Sequence, residues 1–123
     1  MRRDAPEAES TRYYTAALLF MQGRADLAVP EAEAVVRENP RNALAQNLLG
    51  AALASIGERD RARQAFEASL KNNPLSPDTY INLATLEMQA GNRSDAAQRY
   101  AEALTLNQAS ETARQGLAEA TRR

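Results

Sequence analysis

The stretch NALAQNLLGAALASIGERDRARQAFEASLKNNP, residues 42–74, reads as two helices of similar length that meet at a glycine. Its skeleton recurs once upstream and once downstream, about 34 residues away in each direction. The matching positions hold glycine, then a polar residue, then alanine, then asparagine: Gly23, Gly57, Gly91; Asp26, Asp60, Ser94; Ala28, Ala62, Ala96; Asn39, Asn73, Asn107. A fixed period of this length is typical of helical repeat architectures.

Start and stop signals divide each copy into two helices. The glycines can adopt the left-handed conformation that ends a helix. Side chains that cap a helix start precede the first helix of each later unit, at Asn42, Ser76 and Ser110. We expect the polar residues after the glycines (Asp26, Asp60, Ser94) to cap the second helices. Pro30 predicts that the second helix of the first copy starts late or bends.

These signals predict an all-α fold in a single domain, residues 1–123. Three antiparallel helix hairpins are expected over residues 6–40, 41–74 and 75–108, followed by a capping helix over residues 110–123. A repeat array needs such a terminal helix with a polar outer face, and here Ala113, Leu117 and Ala120 would face inward. The expected total is about seven helices, and no strand pattern is present.

The composition narrows the range of functions. Fifteen basic and 16 acidic residues among 123 give a net charge of −1 without a long block of one sign. The charge pattern therefore lacks the electrostatic footprint of a nucleic-acid partner. No apolar run approaches the roughly 18–20 residues that span a bilayer, so membrane insertion is not expected. Residues 1–10 lack the apolar segment of a signal peptide, and the compartment is left open.

The sequence also lacks the usual catalytic and cofactor-binding residues. It has no cysteine and no histidine, which removes disulfides, thiolate nucleophiles, imidazole bases and structural zinc. The phosphate-binding patterns GxxxxGK and GxGxxG are both missing. We therefore expect a protein that is not an enzyme and that uses no cofactor or metal.

The repeats resemble one known family. Its pattern is a bulky residue, Leu-Gly and an aromatic on the first helix, then Ala, Phe and Pro on the second. The middle copy matches best, with Gln46, Leu49, Gly50, Leu53, Ala62, Phe66 and Pro74 at these places. The chain is similar to tetratricopeptide repeat proteins over nearly its whole length. The resemblance implies a right-handed α-solenoid.

The resemblance also implies a binding surface. In this family, the first helices of the hairpins line a concave groove that holds an extended or helical peptide. The corresponding residues here are Tyr13, Ala17, Phe20, Met21, Leu44, Asn47, Ala51, Ser55, Asp78, Ile81, Asn82, Thr85, Met88 and Gln89. Some members grip a C-terminal carboxylate with cations, but those places hold Tyr13, Leu44, Asp78 and Asn82. A mainly apolar peptide or helix is therefore the favoured partner.

Two interpretations of the chain remain open. The favoured one is an adaptor that binds a peptide or helix of another protein. The alternative is a structural or self-associating subunit, such as a homodimer or a component of a bacterial pilus or secretion machine. Under that alternative, Tyr13, Phe20 and Met21 would form the contact between subunits or pack in the core. Asn47 and Asn82 could likewise be an ordinary solvated polar surface.

Overall fold

The computed structural model describes residues 6–122, and in that range it contains seven α-helices and no strand. This confirms the predicted all-α repeat fold. The helices are α1 Pro6–Met21, α2 Ala25–Glu38, α3 Ala43–Ser55, α4 Arg59–Asn72, α5 Pro77–Gln89, α6 Arg93–Leu106 and α7 Glu111–Thr121. None of these seven combines the length and the apolar character that a bilayer-spanning helix requires.

The first helices start where the sequence predicts. Asn42 Oδ1 accepts a hydrogen bond from the Ala45 amide at 3.0 Å. Ser76 and Ser110 accept equivalent bonds at the starts of α5 and α7. Each bond satisfies an amide that has no partner within the first turn of its helix.

The second helices start differently from the prediction. Gly23, Gly57 and Gly91 adopt φ of +80°, +87° and +84°, as expected at helix ends. However, α2, α4 and α6 begin only two residues later, so their caps are Arg24, Glu58 and Asn92, without a side-chain capping bond. The prediction that Asp26, Asp60 and Ser94 are caps is wrong, because all three lie inside the first turn. There, the two aspartates still face the positive end of the helix dipole.

Pro30 does not delay α2. The helix begins at Ala25 and includes Pro30 as an exposed residue in its second turn. The helix therefore does not start late, and the bend that was the other possibility stays a prediction. Proline has no amide hydrogen, so the bond that residue 30 would otherwise donate to the Asp26 carbonyl is missing. That carbonyl lies near the start of the helix on an exposed side, where water can bond it.

The helices form two layers. Each helix packs against the next one along the chain, and α1 also touches α3, α3 touches α5, and α5 touches α7. The first helices of the hairpins therefore lie side by side in one row with α7, and α2, α4 and α6 lie behind them.

Aromatic side chains fill the spaces between hairpins. Phe66 is 1% exposed and packs in a cluster with Leu83 and Leu86 of the next hairpin. It also lies against Gly50, where an added Cβ would come within 2.6 Å of the ring. Tyr100 contacts Gly116 of α7 in a similar way. Gly50, the small residue of the family pattern, therefore makes room for the Phe66 ring, and Gly116 makes room for Tyr100 at a different repeat position.

Candidate functional site

The fourteen predicted groove residues lie on α1, α3 and α5, and none of them is fully buried. They belong to the same layer of the molecule, and we call this surface the groove face. The structure places them on neighbouring helices of one row, and their role as a binding groove stays a prediction. Their individual surroundings differ, and half of them line two hollows at the junction between α3 and α5.

A pair of asparagines lies at the centre of this junction. The Asn82 side-chain amide donates to Asn47 Oδ1 at 3.0 Å, although the residues are 35 apart in sequence. This bond uses one donor and one acceptor of the pair. Asn47 Nδ2 and Asn82 Oδ1 make no other side-chain bond within residues 6–122, so each could bond a peptide backbone.

A hollow of about 150 Å³ lies on one side of the asparagine pair. Four predicted residues line it: Ala51, Asn82, Thr85 and Gln89. The structure adds Ala54, Phe66 and Leu86, which were not predicted from the sequence. This hollow therefore combines an apolar floor with amide groups at its edge, as small binding pockets commonly do.

A smaller hollow, of about 60 Å³, lies on the other side. Leu44, Asn47 and Asp78 line it together with residues from the loop between α4 and α5. Leu44 is 67% exposed and is therefore accessible to a partner side chain. The two hollows and the asparagines between them form a continuous polar and apolar surface across α3 and α5.

The first-hairpin residues serve the core as well as the surface. Tyr13, Ala17 and Phe20 are half-buried and pack on a cluster that contains Ala32 and Leu48. The other hairpins have an aromatic residue, Phe66 or Tyr100, at the position of Ala32. Tyr13 fills the space that the smaller Ala32 leaves there. Burial raises the pKa of the Tyr13 hydroxyl, and the neighbouring Tyr14 adds to the shift.

The remaining predicted residues divide into two groups. Met21 and Ser55 are exposed, and the Ser55 hydroxyl donates to the Ala51 carbonyl of its own helix at 3.1 Å. Ile81 and Met88 are partly buried against a cluster around Tyr100. Substitutions at Ile81 or Met88 would therefore disturb packing as well as the groove face.

The groove face carries little charge. Asp78 is the only ionisable carboxylate or cation among the fourteen predicted residues, and it is exposed. An ion pair that was not predicted from the sequence lies behind this surface, where Arg63 of α4 bonds Glu87 of α5. The position of Glu87, where the family pattern has an aromatic, was the signal that could have revealed it.

Solved structures with the same fold are numerous, at low sequence identity. MamA shares 21% identity at a TM-score of 0.87, with 94% of this chain and 67% of MamA covered. The second domain of human RPAP3, solved with an HSP70 peptide, shares 15% identity at 0.89, covering 97% of this chain and 100% of that domain. PcrH, solved with the chaperone-binding region of PopD, shares 20% identity at 0.84, covering 98% and 90%. No curated protein sequence matches the chain.

These similarities establish the fold, and the sequence profile establishes the family. The profile described as "Tetratricopeptide repeat" matches residues 14–77, which is more than half of the chain. The matched region includes the middle copy, where the pattern of Leu49, Gly50, Ala62 and Phe66 is most complete. The chain belongs to the tetratricopeptide repeat family.

Proposed function

We propose that the chain is a non-catalytic adaptor whose groove face holds a peptide or helix of a partner protein. The observation that carries the proposal is the Asn47–Asn82 pair between two hollows at the α3–α5 junction. The free Nδ2 and Oδ1 of the pair are available to bond a backbone carbonyl and amide of the partner segment. Apolar side chains of the partner would fill the hollows.

The similar structures support the general class of function in this proposal, which is the binding of a peptide or of a segment of another protein. The RPAP3 and PcrH structures are complexes, one with a peptide and the other with a binding region of another protein. Those complexes concern other chains, at 20% identity or less. For the present chain, the low charge of the groove face favours a partner segment that is mainly apolar.

A selection experiment tests the proposal without assuming a particular partner. A phage-displayed library of random linear peptides, each about 12 residues long, is selected on the wild-type chain, and the recovered peptides are synthesised. We expect Asn47→Arg to weaken their binding about tenfold or more, because the longer cation blocks the junction and displaces the Asn82 bond. Isothermal titration calorimetry measures the dissociation constants.

Gln64→Arg is the matched control, because it adds the same charge at an exposed position of α4 in the other layer. It should leave peptide binding unchanged. Circular dichroism and thermal melting establish that both variants are folded. The proposal is wrong if the selected peptides bind Asn47→Arg as tightly as the wild type, or if the library yields no peptide that binds.

The alternative function, a self-associating subunit, would use Tyr13, Phe20 and Met21. Of these, Met21 is 80% exposed and could take part in such a contact, whereas Tyr13 and Phe20 are half-buried within the chain. Light scattering across a concentration series separates the two functions. A mass that stays at 13.4 kDa supports the adaptor, whereas a stable dimer supports the subunit.

A further inference from the structure

Asp78 carries the only charge among the fourteen residues of the groove face, and no side chain of residues 6–122 pairs with it. The residue is exposed in the first turn of α5, and its carboxylate makes no ion pair or side-chain hydrogen bond in that range. Glu111, in the first turn of α7, instead pairs with Arg114. The positive end of the α5 dipole stabilises the charge of Asp78 but leaves its carboxylate oxygens available to a partner.

The smaller hollow places an apolar surface next to this carboxylate. Leu44 lines it together with Asp78 and is largely exposed. The hydroxyls of Ser69, Ser76 and Thr79, which also line it, bond one another. A ligand therefore meets an uncovered leucine and an unpaired carboxylate. Lysine and arginine suit this combination, because each has an aliphatic stem that packs on apolar surface and a cationic head.

The larger hollow has a different chemistry. Its floor is made by Ala51, Ala54, Phe66 and Leu86, and none of its lining residues is charged. An apolar side chain of the partner therefore suits this hollow, and a charged one would lose its hydration there without gaining a counter-ion.

The asparagines between the hollows favour an extended partner segment. Asn47 lines the smaller hollow and Asn82 the larger, and each has one amide atom left after their mutual bond. Those atoms need a main-chain carbonyl and amide to bond. Inside a helix such groups already bond each other, whereas an extended segment presents them freely.

The positions along α5 set the spacing of the two side chains. Asp78 lines the smaller hollow, and Thr85 to Gln89, seven to eleven positions later, line the larger one. At 1.5 Å per helical residue, the hollows lie about 10–16 Å apart along α5. An extended chain rises about 3.3 Å per residue and places every second side chain on the same side. Two side chains four residues apart, at about 13 Å, therefore reach both hollows.

We propose that the segment held by the groove face is extended and carries a lysine or arginine four residues from an apolar residue. The basic residue lies in the smaller hollow, with its stem on Leu44 and its cation at Asp78. The apolar residue fills the larger hollow over Phe66. This inference rests on the proposed function and adds to it the chemistry and spacing of the bound segment.

The selection of phage-displayed peptides on the wild-type chain supplies the probes. We expect the recovered sequences to contain a basic residue four positions from an apolar one more often than the unselected library does. A parallel selection on Asp78→Lys should replace the basic residue with an acidic one, because the charge that it meets is reversed. The apolar position should be the same in both selections.

A double-mutant cycle then tests the contact itself. One recovered peptide is synthesised with its basic residue and with norleucine, which keeps the unbranched stem but lacks the charge. In calorimetric titrations, norleucine should weaken binding to the wild type about fivefold. The same replacement should change binding to Asp78→Asn by less than about twofold, because the carboxylate is already absent.

Asp95→Asn is the matched control. It removes the same charge from an exposed position in the first turn of α6, in the other layer. It should leave peptide binding unchanged, and thermal melting establishes that both asparagine variants are folded.

The outcomes separate this inference from the function on which it rests. If Asn47→Arg weakens the recovered peptides but they lack the basic residue, or if norleucine weakens binding equally in the wild type and Asp78→Asn, only this inference is wrong. If no peptide binds, or Asn47→Arg has no effect, the proposed function fails as well. A concentration-dependent dimer that Asp78→Asn weakens would show that a second copy of the chain occupies the smaller hollow, which would also overturn the inference.

Discussion

Arg63 of α4 and Glu87 of α5 form a bidentate ion pair across the junction between the second and third hairpins. Arg63 Nε donates to Glu87 Oε2 at 2.8 Å, and Nη2 donates to Oε1 at 3.0 Å. The Asn92 side chain adds a third bond to the carboxylate at 2.8 Å. The Glu87 side chain is only 8% exposed, so these donors replace the water that the carboxylate has lost.

Arg63→Ala should lower the free energy of unfolding by about 2–3 kcal/mol, because it leaves the Glu87 carboxylate buried with Asn92 as its remaining donor. Urea denaturation measures this change. The double variant Arg63→Met/Glu87→Leu should lose less than Arg63→Ala, because no charge is left unpaired. Arg61→Ala is the control, since its ion pair with Glu33 is at the surface and should contribute less than about 1 kcal/mol.

The same pair should make stability depend on pH. The hydrogen bonds from Arg63 lower the pKa of Glu87, against the opposing effect of burial, and the Asn92 bond lowers it further. Unfolded Glu87 therefore takes up its proton at higher pH than folded Glu87. This contribution is present above about pH 4.5, the ordinary pKa of glutamate, and is lost as the pH falls through the lowered value.

Urea denaturation at several pH values tests this dependence. The wild type should lose stability more steeply below about pH 4.5 than Glu87→Gln, which has no proton to take up at this position. Equal slopes for the two proteins would contradict the assignment of this effect to Glu87.

Gly116→Ala should destabilise the chain by about 1–2 kcal/mol, even though alanine favours helices more than glycine does. The added Cβ would overlap the Tyr100 ring, which is 6% exposed and cannot move into solvent freely. Thermal melting measures the loss.

The double variant Gly116→Ala/Tyr100→Leu tests the reason for this loss. With a smaller side chain at position 100, the added methyl group should cost little relative to Tyr100→Leu alone. If Gly116→Ala costs as much in that background as in the wild type, steric contact with Tyr100 is not the cause.

The peptide SGPTIEEVD, which is bound by the second RPAP3 domain, should not bind this chain measurably. The peptide carries three acidic residues, whereas the only charged group of the groove face is the negative Asp78, which would repel them. Isothermal titration calorimetry should give no signal up to about millimolar peptide. A dissociation constant below about 100 μM would show that the groove face recognises carboxylates through other groups.

Helix positions were largely predictable from the sequence because their signals are local. A glycine that ends a helix, or Asn42 and Ser76 before one, acts within a few residues. The caps of the second helices were predicted at the wrong residues. The sequence shows a polar residue near the start of each of these helices, but it does not show at which residue the preceding turn ends. The backbone after Gly57 enters α4 in two residues, which leaves Asp60 inside the helix.

The details of the candidate site were less predictable because they depend on distant residues. The sequence places Asn47 and Asn82 on the same face, but their mutual bond requires α3 and α5 to lie side by side. The ion pair of Glu87 likewise joins residues 24 apart on different helices.

Three polar links cross the junction between the second and third hairpins, through Arg63, Asn47 and the buried hydroxyls of Ser69 and Thr79. At the first junction, Arg61 and Glu33 form a surface ion pair, and the buried Gln46 side chain donates to the Pro40 carbonyl at 2.7 Å. The three links at the second junction favour the opening of α3 to α6 as one cooperative unit, so the amide hydrogens of α1 and α2 should exchange with solvent before those of α3 to α6.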